Sequence, residues 1–180
     1  MKKFNLILAL LALAGLGTLY SEEAAPEAPA VEEADAPAAE GIKWHHDLQA
    51  ALDEAKASNK MVIADFTGSD WCGWCIKLVN EVFSQAAFFN LVKDKYVFAE
   101  IDLPRSKPIS DEQKAKNQEY VKKYEINSFP SILILKADGS VVGKTGYKAG
   151  GPEAYAKHLE EIISKAASGV APEESPKKSG

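Results

Sequence analysis

The sequence predicts an α/β domain with a central mixed sheet of about four strands flanked by helices. Three observations carry this. Short apolar runs alternate with stretches of helical period, an Asp-Gly pair joins the last two runs, and one more amphipathic stretch closes the pattern. Trp44, Leu48, Ala51, Leu52 and Ala55 recur at helical spacing, predicting a helix over 46–58 that Asn59-Lys60 ends. Residues 61–66 (MVIADF) read as a buried strand, and Thr67-Gly68-Ser69-Asp70 as a loop. From Cys75 onward Ile76, Val79, Val82 and Phe83 share a helical face. This helix is expected to bend near Ser84 and resume through Phe88, Leu91 and Val92. Residues 96–103 form the second strand. Ser110-x-x-Gln113 is a capping box opening a third helix that ends near Tyr124. Residues 131–136 (SILILK) are the third strand, Asp138-Gly139 the turn, and 141–147 the antiparallel partner. Gly151-Pro152-Glu153 starts the last helix, with Tyr155, Leu159, Ile162 and Ile163 as its apolar stripe. Strands separated by helices are expected to pair in parallel, with the hairpin adding an antiparallel edge.

The 180 residues allow one compact domain plus tails. Lys2 and Lys3 precede an apolar stretch over 6–17. It is shorter than the about 20 residues that span a bilayer, and it fits the core of an export signal. Residues 1–21 are assigned to that signal, either cleaved or kept as an anchor, which places the protein in the periplasm or cell envelope. Residues 22–41 hold eight Ala, three Pro and seven acids and no aromatic, so a disordered, extended linker is expected. It is either a spacer from a membrane or wall or a solubilising leader. Residues 42–167 hold the domain, and 168–180, with Gly169, Pro172 and Pro176, read as a disordered tail.

Formal net charge is −5; the linker holds seven of the acids and the signal two of the lysines, which leaves residues 42–180 neutral. A neutral domain disfavours nucleic acid as a partner, since phosphate binding needs clustered Lys and Arg. Two cysteines exclude a multi-disulfide framework. Nothing points to haem, flavin or nucleotide and there is no Gly-rich phosphate loop, so no cofactor and no metal are expected.

The chemistry sits at Trp71-Cys72-Gly73-Trp74-Cys75, at a strand–loop–helix junction. Backbone N–H groups at a helix start are unpaired and the macrodipole is positive there, so a thiolate is stabilised and reactive at neutral pH. A cysteine one turn on can reach the first sulfur and close or resolve a disulfide. Cys72 is expected to be the exposed nucleophile and Cys75 the resolving thiol. Three plainer readings compete. The pair could be half of a zinc site, although His45 and His46 are adjacent and match ligand spacing poorly. It could be an inert disulfide, although so small a loop gives little chain-entropy stabilisation. It could transfer copper, although no Met or His stands close in sequence.

The strand MVIADF, the Trp-Cys-Gly-Trp-Cys run, Phe129-Pro130 before SILIL, the Asp138-Gly139 hairpin and Gly146 together resemble the thioredoxin superfamily over about residues 42–167. Trp44, Ala51, Ala55-Lys56, Asn59-Lys60 and the phrase from Asp65 to Cys72 are similar to exported bacterial thioredoxin-like proteins. That group includes the soluble C-terminal domain of DsbD-type transporters. The resemblance implies a thioredoxin fold with Cys72 and Cys75 as the redox pair and Pro130 as the cis-proline. Phe129 would then line the substrate groove beside Pro130, and Trp71 matches the aromatic before the first cysteine; Trp74 departs from the Gly-Pro usual in thioredoxins and adds an aromatic surface beside the sulfur for docking a partner. Asp65 matches the buried acid beneath the pair; a carboxyl in an apolar strand should have a raised pKa and could take the proton from Cys75. The interval from Asp65 to Cys72 is seven residues, one longer than in typical thioredoxins, so the loop is expected to bulge. Glu100 stands where thioredoxins often place Lys, and two nearby acids would raise each other's pKa.

The resemblance implies an exported thiol–disulfide oxidoreductase acting on protein disulfides and thiols, expected to be a monomer. Net reduction is favoured, which requires a membrane thiol donor. Disulfide donation is the alternative, and a thioredoxin-fold adaptor without exchange activity is a third. Isomerisation is disfavoured, because the linker has no apolar stripe to make a dimer.

Overall fold

The computed structural model describes residues 41–169. The expected export signal, the linker up to residue 40 and the tail from residue 170 lie outside the described residues.

Helix α1 (Leu48–Ser58) begins where the Asp47 carboxylate accepts the Gln49 N–H and ends where Asn59 turns left-handed at φ 54°. It buries Leu48, Ala51, Leu52 and Ala55, the stripe the spacing predicts. Trp44 does not belong to it. Trp44–His45 form a short strand, β1, and the Trp44 ring lies edge-on to Phe83 and Phe98 at 5.5 and 5.4 Å. Two residues are too few to show a period, so the expected four strands become five.

The remaining strands are β2 (Met61–Thr67), β3 (Tyr96–Asp102), β4 (Ser131–Leu135) and β5 (Val141–Thr145), in the order β1-β3-β2-β4-β5. β1 and β2 both run parallel to β3. β4 is antiparallel to β2, against the parallel pairing expected for a strand that follows a helix. The reason lies in the connection. Loops on both sides of α4 (Asp111–Lys123) return the chain to the end of the sheet it left, so Ser131 enters opposite Phe66, where β2 is finishing. Asp138 and Gly139 turn β4 into β5: Gly139 sits at φ 81° and the Asp138 carboxylate accepts the Ser140 N–H at 2.8 Å.

α2 (Gly73–Leu78) runs into a π-helical turn over Val79–Phe83, breaks at Ser84, and resumes as α3 (Ala86–Val92). The capping box at Ser110 is half formed. The Ser110 hydroxyl accepts the Gln113 N–H at 3.1 Å, but the Gln113 amide reaches the His46 carbonyl instead of returning. α5 (Gly151–Ala167) buries Tyr155, Ala156 and Leu159.

Strand alternation loads the two sheet faces separately. Val62, Ala64 and Phe66 of β2 pack with Val97, Ala99 and Ile101 of β3 and with α1. Ile63 and Phe98 point the other way, onto Leu78, Val82, Phe83, Phe88 and Tyr155. The same alternation carries Asp65, Glu100 and Asp102 to that second face, with Asp65 opposite Glu100 and Thr67 opposite Asp102.

Candidate active site

β2 ends at Thr67, and the next four residues turn the chain into α2. Cys72 is its N-cap, in extended conformation, and its Sγ accepts the Cys75 N–H at 3.2 Å. Cys72 and Cys75 are joined by a disulfide, with Cα atoms 5.2 Å apart. Cys72 is 6% exposed and Cys75 2%. The expected exposed nucleophile is therefore nearly covered, because its bond to the buried Cys75 draws its sulfur in under the helix start. It remains the outer of the two.

Two aromatic groups flank the pair. On one side Trp71 donates its indole N–H to the Leu103 carbonyl at 2.8 Å, stands edge-on to Phe129 at 5.4 Å, and carries the Arg105 guanidinium 4.2 Å above its ring. A Cβ at Gly68 would lie 2.3 Å from that indole, so only glycine lets the ring rest on the loop. The Phe129–Pro130 bond is cis, and Pro130 is buried. A Cβ at Gly146 would come 3.0 Å from the Pro130 carbonyl, which shows how closely the segment after β5 descends here.

On the other side Trp74 is 56% exposed. Its ring tilts against Tyr147 at 5.0 Å, and the Lys77 ammonium lies 5.3 Å from the Trp74 ring and 5.2 Å from the Tyr147 ring. The Tyr147 O–H donates to Glu81 at 2.6 Å. Sequence reasoning missed Tyr147, Lys77 and Arg105; aromatic and basic residues outside the motif carry no signal of their own.

The long loop before Cys72 is tied down. The Asp70 carboxylate accepts the N–H groups of Arg105, Ser106 and Lys107 at 3.0, 2.6 and 3.0 Å, and these bonds hold its pKa below the usual carboxylate value. Ser69 donates its N–H and its hydroxyl to Asp102 at 2.9 and 2.6 Å. The segment between β2 and Cys72 is thus stitched to the segment after β3.

Asp65, on the face of β2 that α2 covers, is 2% exposed, and its Oδ1 has no hydrogen-bond partner among the described residues. Burial pushes its carboxyl well above the usual range, and the nearby Glu100 and Asp102 push it further. Glu100 is raised as well, by burial first and then by Asp102, while His46 and Lys107 pull it back. Glu100 thus raises Asp65, whereas the rise of Glu100 itself comes from burial and Asp102 and not from Asp65, against the mutual effect expected. Such a carboxyl exchanges its proton closer to neutral pH than a solvated one.

His45 and His46, weighed as metal ligands, turn to Glu54 at 2.8 Å and to Glu100 at 3.3 Å. Among the described residues no group of three or more His, Cys, Asp or Glu is placed to hold a metal ion. No helix among them is long and apolar enough to cross a membrane.

The thioredoxin-like domain family matches residues 48–163, more than half of the chain. This chain belongs to the thioredoxin-like family. It is 30% identical over 126 residues to the disulfide bond reductase DsbH of Chlamydia pneumoniae, covering 70% of this chain and 75% of the relative. It is 27% identical over 158 residues to the thioredoxin-related protein DsbJ of the same organism, covering 84% of this chain but only 44% of that one. A solved DsbH oxidoreductase structure superposes with a TM-score of 0.68 at 28% identity, over 74% of this chain and 92% of the other. With a Cys-x-x-Cys disulfide at the start of α2, this thioredoxin-like chain is a thiol–disulfide oxidoreductase.

Proposed function

We propose that this oxidoreductase is an exported reductase of protein disulfides. Its dithiol form attacks a substrate disulfide with the Cys72 thiolate, and one substrate sulfur leaves as a thiolate. Cys75 then gives its proton to the Asp65 carboxylate, attacks Cys72 Sγ, and releases the second substrate thiol. Two electrons have passed to the substrate, and the enzyme holds the Cys72–Cys75 disulfide until a membrane thiol donor reduces it. Trp71, Trp74, Phe129 and Pro130 form the rim on which an extended substrate lies, with the chain acting as a monomer. Residues 1–21 direct export to the periplasm or envelope, 22–41 act as a linker, 42–167 carry the activity and 168–180 are a tail.

The observation that carries the exchange mechanism is the cysteine pair at the start of a helix that packs on the sheet face where a carboxyl is buried with an unpartnered oxygen. A helix start favours a thiolate at Cys72, and a buried carboxyl on the sheet face that α2 covers can take the proton of Cys75. The direction is supported by the reductase name of DsbH, and export by the signal-like residues at the start of the chain. The test is the reduction potential of the full chain in glutathione or dithiothreitol buffers. A value near about −270 mV is expected for a reductase; one near about −120 mV makes the protein a disulfide donor instead. Absence of a reversible two-electron couple rejects exchange activity.

A further inference from the structure

We propose that His46 is a positioning residue for exchange: through Glu100 it passes protons between solvent and the buried Asp65. The proposal rests on the reading of Asp65 as the acceptor of the Cys75 proton. β1 sets Trp44 opposite Phe98 and His45 opposite Ala99, so the next residue, His46, falls level with Glu100. Glu100 in turn lies opposite Asp65. Neighbouring strands stand about 4.8 Å apart, so three titratable side chains form one row across the sheet. The row runs outward through a gradient of exposure: Asp65 is buried, the Glu100 side chain is 27% exposed, and the His46 side chain is 70% exposed. His46 Nδ1 and Glu100 Oε2 are 3.3 Å apart. The Gln113 amide donates to the His46 carbonyl at 2.8 Å and holds the backbone there.

Other routes out of Asp65 are engaged or apolar. On the β4 side its strand partner is Ile132. Tyr155, which faces it from α5, donates its O–H to the Gly146 carbonyl at 2.9 Å. The groups that face Glu100 are Asp65 on β2, Asp102 on β3, Lys107 in the loop beyond β3, and His46. Both Asp102 carboxylate oxygens accept from Ser69, and the Lys107 ammonium donates to the Ser69 hydroxyl at 3.0 Å. His46 is the remaining group, 3.3 Å from Glu100 and far more exposed to water, and an imidazole ring can accept a proton at one nitrogen while it donates from the other. Before it can take the proton of Cys75 in the resolving step, the Asp65 carboxyl must shed the proton that its burial holds on it. The Glu100 carboxylate accepts it, His46 takes it at Nδ1, and Nε2–H releases one to water.

The experiment follows the resolving step in full-length chain by single-turnover quench with a peptide disulfide. It runs from about pH 5 to about pH 9 in dilute buffer and with added imidazole, on the wild type, His46→Gln and Asp65→Asn. Expected is a His46→Gln rate about tenfold slower in dilute buffer and restored as imidazole rises, with the wild type indifferent to it. Asp65→Asn should be slow at every imidazole concentration. A His46→Gln protein with the wild-type pH profile overturns the relay, and so does one that is slow but unrescued by imidazole. If Asp65→Asn resolves as fast as the wild type, the proton-acceptor reading itself fails.

Discussion

On the α1 side of the sheet β2 presents Val62, Ala64 and Phe66, and each enters an apolar cluster with Leu48 and Leu52. On the α2 side the same strand presents Ile63 and then Asp65, while β3 presents Phe98 and then Glu100 and Asp102. The apolar half of this second face seats Phe83, Phe88 and Tyr155; the acidic half lies toward the C-terminal ends of β2 and β3, the end from which the chain leaves β2 for the cysteines. A buried carboxyl with an unpartnered oxygen lowers stability, and packing gives no reason for it. One face serves packing alone, whereas the other gives up stability at the end that carries the carboxyls.

The largest effect is expected where only packing is at stake. Leu48→Ala should lose about 2–5 kcal/mol in a urea titration while the reduction potential stays put. A shifted potential would break the comparison, because it would make the α1 face part of the site.

Asp65→Asn should move stability the opposite way, gaining about 1–3 kcal/mol at neutral pH while exchange slows. The sign follows from the folded carboxyl holding its proton to higher pH than the same group in the unfolded chain. Above about pH 4 the unfolded chain gives up a proton that the folded protein keeps, so wild-type stability falls as pH rises toward the folded value and is level beyond it. The raised Glu100 adds a fall of the same sign. Urea midpoints of wild type and Asp65→Asn should therefore nearly agree at about pH 4 and separate toward alkaline pH.

The smallest stability effect is expected on the watered side of the same helix. Trp74→Ala should change stability by no more than about 0.5 kcal/mol, since the ring is already 56% exposed. Steady-state kinetics should show a raised KM for a protein disulfide with kcat retained. An unchanged KM would remove Trp74 from the docking rim.

Most of the elements were legible, because their signals are local. Asp47, Ser110 and Asp138 cap or turn the chain within three residues of their partners. The bend near Ser84 could be read from the interrupted apolar face, and it appears as the break after the π turn. β1 was hidden by its length. The sense of β4 was hidden because helical connections are compatible with return to either end of a sheet.

For the site, the cysteines and the helix start on which they stand are determined by sequence alone, since a Cys-x-x-Cys at a strand–helix junction brings its sulfurs together within one turn. The residues around them were decided by the tertiary structure. Asp70 reaches the Arg105 N–H across 35 positions, and Tyr147 reaches Glu81 across 66. The row from His46 through Glu100 to Asp65 exists only because β3 lies between β1 and β2 in matching register. Local signals span a few residues and survive in the sequence; strand order and register are settled by which apolar faces can be buried together, and that is a property of the whole fold.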